Sequence, residues 1–378
     1  MISLDKEQIC LLELIKASLF NVTPAIPENV NWDKILDVAK IQCIVPMLTH
    51  CIPFEHRNSW NIITYQNKAF FMQMMYEQNA LVELFKENKI PTVIIKGTAA
   101  AMYYPNPCMR TFGDIDFYVS PQYYTNAKRL LEKKDYRYIT NNDRQIVYEK
   151  NGVEFELHEI ISRKGSYDIN SIVLSDSFTT VECSINGCSF PCLPTYYNGL
   201  VLLWHIMHHL KGSGIGIRQI LDWMLFVHNE LDDYAWNNYF KVLVVQTGLE
   251  KLAVTVTYMC KKWLGLPDDI IWCNKAEDEV ADQLLVRILN DGNFGNERAN
   301  YENVMKSMRE EGTFKFLQRL GLSNWRLARK FVFLKPFAWL YQIFKYASIG
   351  FVQLISGKKV ISKGKCSISL KELLKRIE

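Results

Sequence analysis

Apolar residues recur at three- and four-residue steps along the first 88 residues, which is the spacing of one face of an α-helix. The pattern predicts helices at 4–19, 32–47 and 61–88. A loop that contains two prolines separates the first two of these helices. We therefore expect an N-terminal helical region at 1–88.

From residue 89 the pattern changes to short β-branched or alternating runs, which favour strands. Strands are predicted at 92–95, 114–119, 144–149 and 153–160, with a hairpin at 181–193. Asn186-Gly187 lies at the centre of that hairpin and is a strong signal for a two-residue turn. Helices are predicted after Gly97 and at 120–134. The segment 89–194 is therefore predicted as a mixed α+β core.

The helical spacing returns at residue 195. Helices predicted at 200–210 and 217–227 begin a helical domain that we place at 195–325. A basic, aromatic C-terminal tail follows at 326–378, and a short helix is predicted at 369–377 within it.

Asp114 and Asp116 are the first candidates for chemistry. Residues two apart on a strand lie on one face, so both carboxylates face away from the core that Ile115 and Phe117 enter. Two close carboxylates repel each other, and a cation between them relieves the repulsion. Oxygen ligands suit Mg²⁺ or Mn²⁺. The alternative is a solvated strand edge that carries two acids without a metal.

Two further features flank this acidic pair. Upstream, a strand runs into Gly97-Thr98 and then into strong helix formers, a unit in which glycine and free N–H groups can approach a phosphate. Downstream, strict alternation places Glu154, Glu156 and His158 on the face opposite the core. Three carboxylates beside a phosphate cradle are what two-metal phosphoryl or nucleotidyl transfer needs.

Two segments carry a resemblance to a known family. Residues 95–110 read Ile-Lys-Gly-Thr-Ala-Ala-Ala-Met-Tyr-Tyr-Pro-Asn-Pro-Cys-Met-Arg, and residues 113–119 read Gly-Asp-Ile-Asp-Phe-Tyr-Val. Together with Glu-Leu-His at 156–158, they resemble the uncharacterised nucleotidyltransferase family of the DNA polymerase β-like superfamily. The similarity extends over about residues 30–230 and is specific over 93–160. Thr98 stands where Ser is usual in the superfamily, and the spacer before the paired acids is slightly longer than its norm.

The resemblance implies a fold and a set of metal ligands. The fold would be α+β, a polymerase β-like nucleotidyltransferase core made of a small mixed sheet with flanking helices, with helical regions N- and C-terminal to it. Asp114 and Asp116 would hold the divalent metals. Glu156 would be the third metal ligand or would activate the acceptor. Glu154 shares its face and stays an alternative.

A second group of residues is predicted to bind the nucleotide. The resemblance implies that Gly97 and Thr98 cradle the phosphates. Lys96 and Arg110 can neutralise triphosphate charge, and the alternative for each is an ordinary surface cation. His158 either contacts the nucleotide or caps a strand through a hydrogen bond.

Three histidines, His205, His208 and His209, share one predicted helix. His205 and His209 are four residues apart and have the spacing of a zinc-binding pair. A His-Glu-x-x-His motif is absent from the sequence, which excludes the metalloprotease interpretation. We favour a hydrogen-bonded cluster near Arg218 and Asp222, on a helix that closes one wall of the cleft.

The net charge of +4 is unevenly distributed. Residues 325–378 carry twelve Lys and Arg against two acids, and the rest of the chain carries 32 basic against 38 acidic residues. Three interpretations of the tail stay open: a helix packed on the domain, a basic helix on an anionic membrane surface, and a nucleic-acid contact. Its longest uncharged run, 346–357, is shorter than the roughly 20 residues of a membrane-spanning helix, so we expect no transmembrane segment.

Ten cysteines are present without a Cys-x-x-Cys motif, and the spacing of Cys183, Cys188 and Cys192 fits no common zinc pattern. The N-terminus shows no signal-peptide pattern. Reduced thiols and a cytoplasmic location are therefore expected, with attachment to a membrane surface through the tail as the alternative.

The combined prediction is a metal-dependent nucleotidyltransferase. It would use Mg²⁺ or Mn²⁺ to move a nucleoside monophosphate from a nucleoside triphosphate to a hydroxyl or phosphate acceptor of unknown identity, with release of pyrophosphate. The alternatives are a non-catalytic nucleotide-binding module of the same fold and a toxin-like transferase that acts on RNA or protein.

Overall fold

The structure is a computed structural model that describes residues 4–292, apart from 142–143, 163–166, 175–178 and 213, together with residue 336 and residues 368–378. Its helices are α1 (Lys6–Phe20), α2 (Trp32–Ile41), α3 (Val45–Leu48), α4 (Arg57–Glu87), α5 (Gly97–Ala101), α6 (Pro121–Lys133), α7 (Asn170–Val173), α8 (Thr195–Lys211), α9 (Ile217–Glu230), α10 (Asp233–Ala235), α11 (Lys241–Gln246), α12 (Glu250–Leu264), α13 (Asp278–Asp291) and α14 (Leu370–Ile377). Its strands are β1 (Val93–Ile94), β2 (Asp114–Tyr118), β3 (Arg137–Asn141), β4 (Gln145–Lys150), β5 (Val153–His158), β6 (Val181–Ile185) and β7 (Cys188–Cys192).

The strands form one mixed sheet in the order β3-β4-β5-β2-β1-β7-β6. The β2–β5 and β1–β7 pairs are parallel, and the other neighbouring pairs are antiparallel. β2 lies at the centre of the sheet, between β5 and β1. The predicted α+β class, a mixed sheet with flanking helices, is confirmed.

Local sequence signals explain several element ends. Asp5 and Gln8 form a capping box at the start of α1. Pro121 occupies the first turn of α6, where its missing N–H is not needed. Asn186 and Gly187 have φ of 50° and 81°, the left-handed values that a tight hairpin turn between β6 and β7 requires.

β1 and the turn that follows it lie between two hydrophobic cores. One core is helical and combines α1–α3 with α8–α14, and α1 packs on α12. In the other core, α6 and the second half of α4 pack against the sheet. Val93 and Ile95 enter the helical core, whereas Ile94 enters the sheet core. The Lys96-Gly97 turn is therefore held at the boundary between them.

One predicted helix is wrong in its extent, and one strand of the sheet is missing from the predictions. The helix predicted at 32–47 ends at Ile41, because Cys43 has a φ of 56° that a helix cannot accommodate, and α3 is a separate turn. The strand β3 was not predicted, because all five of its residues are exposed and carry no alternating apolar pattern.

The predicted boundaries at 88, 194 and 325 stay predictions. The helix predicted at 369–377 is present as α14, and Ser369 caps it by accepting a hydrogen bond from the Glu372 N–H. The rest of the predicted tail, at 326–335 and 337–367, lies outside the described residues.

Candidate active site

The acidic residues lie on two neighbouring parallel strands. In the register of β2 and β5, Asp114 pairs with Glu154 and Asp116 pairs with Glu156. The intervening residues of both strands are buried in the sheet core, so the acids share the opposite face. Asp116 is buried, Asp114 and Glu156 are half-buried, and Glu154 is exposed.

Asp116 is the most closely surrounded of these acids. Lys96 Nζ donates a hydrogen bond to Asp116 Oδ1 over 2.7 Å, and His158 Nε2 lies 2.8 Å from the same oxygen. His158 Nε2 is also 3.5 Å from Glu156 Oε2. His158 Nδ1 is buried and has no hydrogen-bond partner among the described residues. Both basic side chains of the cluster therefore meet one oxygen of Asp116.

This crowding separates the pKa values of the two aspartates. Burial, followed by the negative charges of Asp116 and Glu156, raises the pKa of Asp114 to about 7. Burial also raises the pKa of Asp116, but the Lys96 charge and the His158 hydrogen bond outweigh it and hold that pKa well below its usual range. The site therefore needs a further positive charge to keep all its carboxylates ionised at neutral pH.

The donor set is suitable for a divalent cation. One ligand atom each from Asp116, Glu156 and His158 lies within 4.8 Å of the others. Asp114 supplies a further carboxylate on the same face, and carboxylate oxygens suit Mg²⁺ or Mn²⁺. Glu156 is a member of this group, whereas the exposed Glu154 is not.

The turn before α5 brings Lys96 to the acids. Lys96 has φ of 55° and ψ of −133°, an unfavourable backbone conformation for a residue with a side chain, which costs about 1–3 kcal/mol. Gly97 follows with a φ of 25°. The Ile95 N–H donates to the Asp116 carbonyl over 3.0 Å, so the turn is tied directly to β2.

The Thr98 hydroxyl has a partner within the protein. It donates to Gln78 Oε1 on α4, and Thr98 is only 2% exposed. Of the predicted phosphate cradle, the backbone of the Gly97 turn borders the acids, while the Thr98 hydroxyl is directed into α4.

Arg110 is buried and forms a bidentate ion pair. Its Nε and Nη2 donate to Asp222 Oδ1 and Oδ2 over 2.8 and 2.9 Å, and its Nη1 donates to the Thr111 carbonyl. Tyr104 donates from its hydroxyl to the same Asp222. The surface-cation alternative for Arg110 is wrong, since it is 5% exposed and joins the loop before β2 to α9.

The helix α8 brings its histidines close to Lys96. His205 Nε2 and His209 Nε2 are 2.7 Å apart. Burial, then the neighbouring positive charges, lowers the pKa of His209 to about 4, and burial holds that of His205 well below its usual value. Both rings are therefore neutral at pH 7 and form the expected hydrogen-bonded pair.

Two arginines were missing from the predicted site residues. Arg144 lies 3.2 Å from His208 Nε2, and Arg218 donates to the Thr111 carbonyl. Their positive charges lower the pKa of His209, which places both near the α8 wall. The sequence analysis named Arg218 only as a neighbour of the histidine cluster, and no local pattern distinguishes Arg144.

A glycine turn that enters a helix beside acids on two adjacent strands suits an enzyme of phosphoryl or nucleotidyl transfer. The family described as uncharacterised nucleotidyltransferase matches residues 28–265, and the chain belongs to this family. The resemblance drawn from the sequence is confirmed, and with it the enzyme class. The roles of individual site residues stay predictions.

Solved structures with similarity to the chain were also found. ANT(2'')-Ia in complex with adenylyl-2''-tobramycin has 12% identity and a TM-score of 0.36 over 47% of this chain and 97% of that chain. A nucleotidyltransferase-like protein from Paracoccidioides brasiliensis has 17% identity and a TM-score of 0.34 over 51% and 92%. The lincosamide antibiotic adenylyltransferase LnuA, with lincomycin bound, has 13% identity and a TM-score of 0.28 over 43% and 96%. These scores are too low to support an inference about the site.

No curated protein matches the chain. Among the described helices, none has the length and apolar character needed to cross a membrane.

Proposed function

We propose that the enzyme transfers a nucleoside monophosphate from a nucleoside triphosphate to a hydroxyl or phosphate group of an acceptor and releases pyrophosphate. The observation that carries this proposal is the parallel register that sets Asp116 opposite Glu156, with Asp114 on the same face. Membership of the nucleotidyltransferase family supports the reaction class.

Asp114, Asp116 and Glu156 would hold Mg²⁺ or Mn²⁺. When bound, the metal neutralises the triphosphate and lowers the pKa of the attacking group. Glu156 is preferred to Glu154 because it lies opposite the buried Asp116 and close to His158. Because the pKa of Asp114 is raised to about 7, a substantial fraction of this side chain is protonated at neutral pH, and added positive charge would favour the carboxylate.

The predicted nucleotide-binding residues fall into two groups, those that lie next to the acids and those that act on the site only through other residues. Lys96 and the Gly97 backbone border the acids and can meet the phosphates. His158 orients Asp116 through Nε2. Thr98 and Arg110 act on the site through Gln78 and Asp222, which hold the turn and the loop before β2 in place.

The proposal is tested with Asp116→Asn. Thermal-shift titrations with ATP, GTP, CTP and UTP, with and without Mg²⁺, report binding through the rise in Tm, and pyrophosphate release reports transfer. We expect the variant to lose the Mg²⁺-dependent shift and to release pyrophosphate at least about 100-fold more slowly, since it loses a charged metal ligand. Asp278→Asn, which removes an exposed acid paired with Lys262 on α12, is the matched control and should behave as wild type.

The same measurements separate the alternatives. Metal-dependent nucleotide binding without pyrophosphate release, for any acceptor offered, supports a non-catalytic binding module. Release that depends on added RNA or protein supports the toxin-like transferase. An unchanged Asp116→Asn variant would contradict catalysis at these acids.

We also propose that the basic segment 326–378 contacts an anionic surface of a membrane or a nucleic acid. Its excess of positive charge supports this proposal. Replacement of the lysines and arginines between residues 326 and 365 by glutamine leaves α14 in the helical core and should abolish salt-sensitive co-sedimentation with anionic liposomes or RNA. Binding that survives the replacement would remove the segment from this role.

A further inference from the structure

Lys96 is a buried lysine in contact with a proposed metal ligand. It is 8% exposed, and its Nζ is 2.7 Å from Asp116 Oδ1. The negative charges of Asp116, Glu156 and Asp114 together raise its pKa against the effect of burial, so it is an ammonium ion at neutral pH. One oxygen of this proposed metal ligand therefore already has a cation as its partner.

An ammonium group and a divalent cation cannot both occupy the same side of one carboxylate oxygen. Asp116 Oδ1 also lies 2.8 Å from His158 Nε2, so two nitrogen groups already crowd that oxygen. A metal held by either oxygen of Asp116 would lie close to the Lys96 ammonium, and the mutual repulsion of the two cations would favour the departure of Lys96.

The backbone holds Lys96 at the junction of the acids and the glycine turn. Lys96 has a positive φ, and the next residue is Gly97, whose added Cβ would lie 3.6 Å from the Asp114 carbonyl oxygen. A lysine carries its charge on a flexible four-carbon chain, so the ammonium can change partner while the turn stays in place. Phosphates at this turn would offer it a new anionic partner.

We propose that Lys96 is an internal counter-ion, which holds Asp116 in the metal-free enzyme and moves to the phosphates of the donor when a divalent cation binds. This inference rests on the proposed function. It makes the binding of metal and of triphosphate mutually dependent. Metal alone must displace Lys96 without compensation, whereas the triphosphate supplies the displaced ammonium with a partner.

The test measures Mn²⁺ binding to the full chain by electron paramagnetic resonance, with and without inorganic tripolyphosphate, corrected for Mn²⁺ bound by tripolyphosphate in solution. In Lys96→Met we expect Mn²⁺ alone to bind about tenfold more tightly, equivalent to about 1.4 kcal/mol. Tripolyphosphate should strengthen Mn²⁺ binding clearly less in the variant than in wild type.

Two further variants act as controls. Lys34→Met removes a lysine paired with Asp5 and Glu7 far along the chain from the site, and should leave Mn²⁺ affinity unchanged. Lys96→Arg keeps the positive charge and should keep the weak affinity of wild type. If Lys96→Met does not fold, Lys96→Gln removes the charge while it retains a hydrogen-bond donor.

The outcomes distinguish this inference from the proposed function. If wild type binds Mn²⁺ and transfers nucleotide, but removal of the Lys96 charge leaves Mn²⁺ affinity unchanged or weaker, the counter-ion role is overturned and the proposed function stands. An equal tightening in Lys96→Arg would also overturn it. If wild type binds no Mn²⁺, with or without tripolyphosphate, both proposals fail.

Discussion

Two buried ion pairs flank β2, and they differ in how completely their charges are balanced. In Arg110–Asp222, both carboxylate oxygens and all three guanidinium nitrogens have hydrogen-bond partners. In Lys96–Asp116, both nitrogen partners meet a single carboxylate oxygen, and the half-buried Asp114 and Glu156 lie on the same face. The first pair is complete and fixes structure, whereas the second leaves negative charge for a ligand to neutralise.

The complete pair should give the largest effect on stability. Arg110→Met removes both hydrogen bonds that the guanidinium donates to the buried Asp222 and leaves Arg218 as the remaining positive charge near it, so we expect the free energy of unfolding to fall by about 3–5 kcal/mol in urea denaturation. Arg137, which is largely exposed and paired with Glu149, offers the matched control, and Arg137→Met should change that free energy by less than about 1 kcal/mol.

The opposite result would change the comparison. If Arg110→Met unfolds at the same urea concentration as wild type but binds tripolyphosphate more weakly, then Arg110 is a phosphate ligand, as the sequence suggested, and the two pairs are alike.

The sequence was informative wherever the chemistry follows from local spacing. Alternation placed Asp114 and Asp116 on one face, and Asn186-Gly187 identified the hairpin. An alternation with a period of two and a turn dipeptide both depend only on residues that are neighbours in the chain, so both can be identified from a single sequence.

Partners that lie far apart in the chain could not be predicted in the same way. Asp222 is 112 positions from Arg110, and the Gln78 partner of Thr98 belongs to a different helix. Their meeting depends on the packing of α4 and α9 around the sheet, which local spacing does not encode. The sequence analysis placed Asp222 beside the histidine cluster but did not identify Arg110 as its partner.

The incomplete site should be visible in the pH dependence of stability. Because the pKa of Asp114 rises from 3.8 to about 7 on folding, the native state binds more protons than the unfolded state between these values, and Asp114 lowers stability as pH rises through that window. We expect Asp114→Asn to gain stability relative to wild type from about pH 4 to about pH 7, in urea denaturation with a chelator present.

The quantity to compare is the difference in stability between wild type and Asp114→Asn at each pH. His205 and His209 have lowered pKa values and act in the opposite direction between about pH 4 and 6.5, but they are present in both proteins. Parallel pH profiles for wild type and Asp114→Asn would show that the carboxylates are not crowded as described.

The smallest expected effect concerns Thr98, whose hydroxyl forms a neutral hydrogen bond with Gln78 rather than an ion pair. Thr98→Val should lower the free energy of unfolding by about 1–3 kcal/mol, because it leaves the buried Gln78 oxygen unpaired. Tripolyphosphate affinity should stay near that of wild type if the phosphates meet only the backbone of the Gly97 turn.

Thr257→Val removes another buried hydroxyl, the acceptor of the Trp223 indole N–H, and controls for the loss of stability. A Thr98→Val variant as stable as wild type but with much weaker tripolyphosphate binding would show that the hydroxyl leaves Gln78 for the phosphates, which would make Thr98, like Lys96, a residue that exchanges partners when the donor binds.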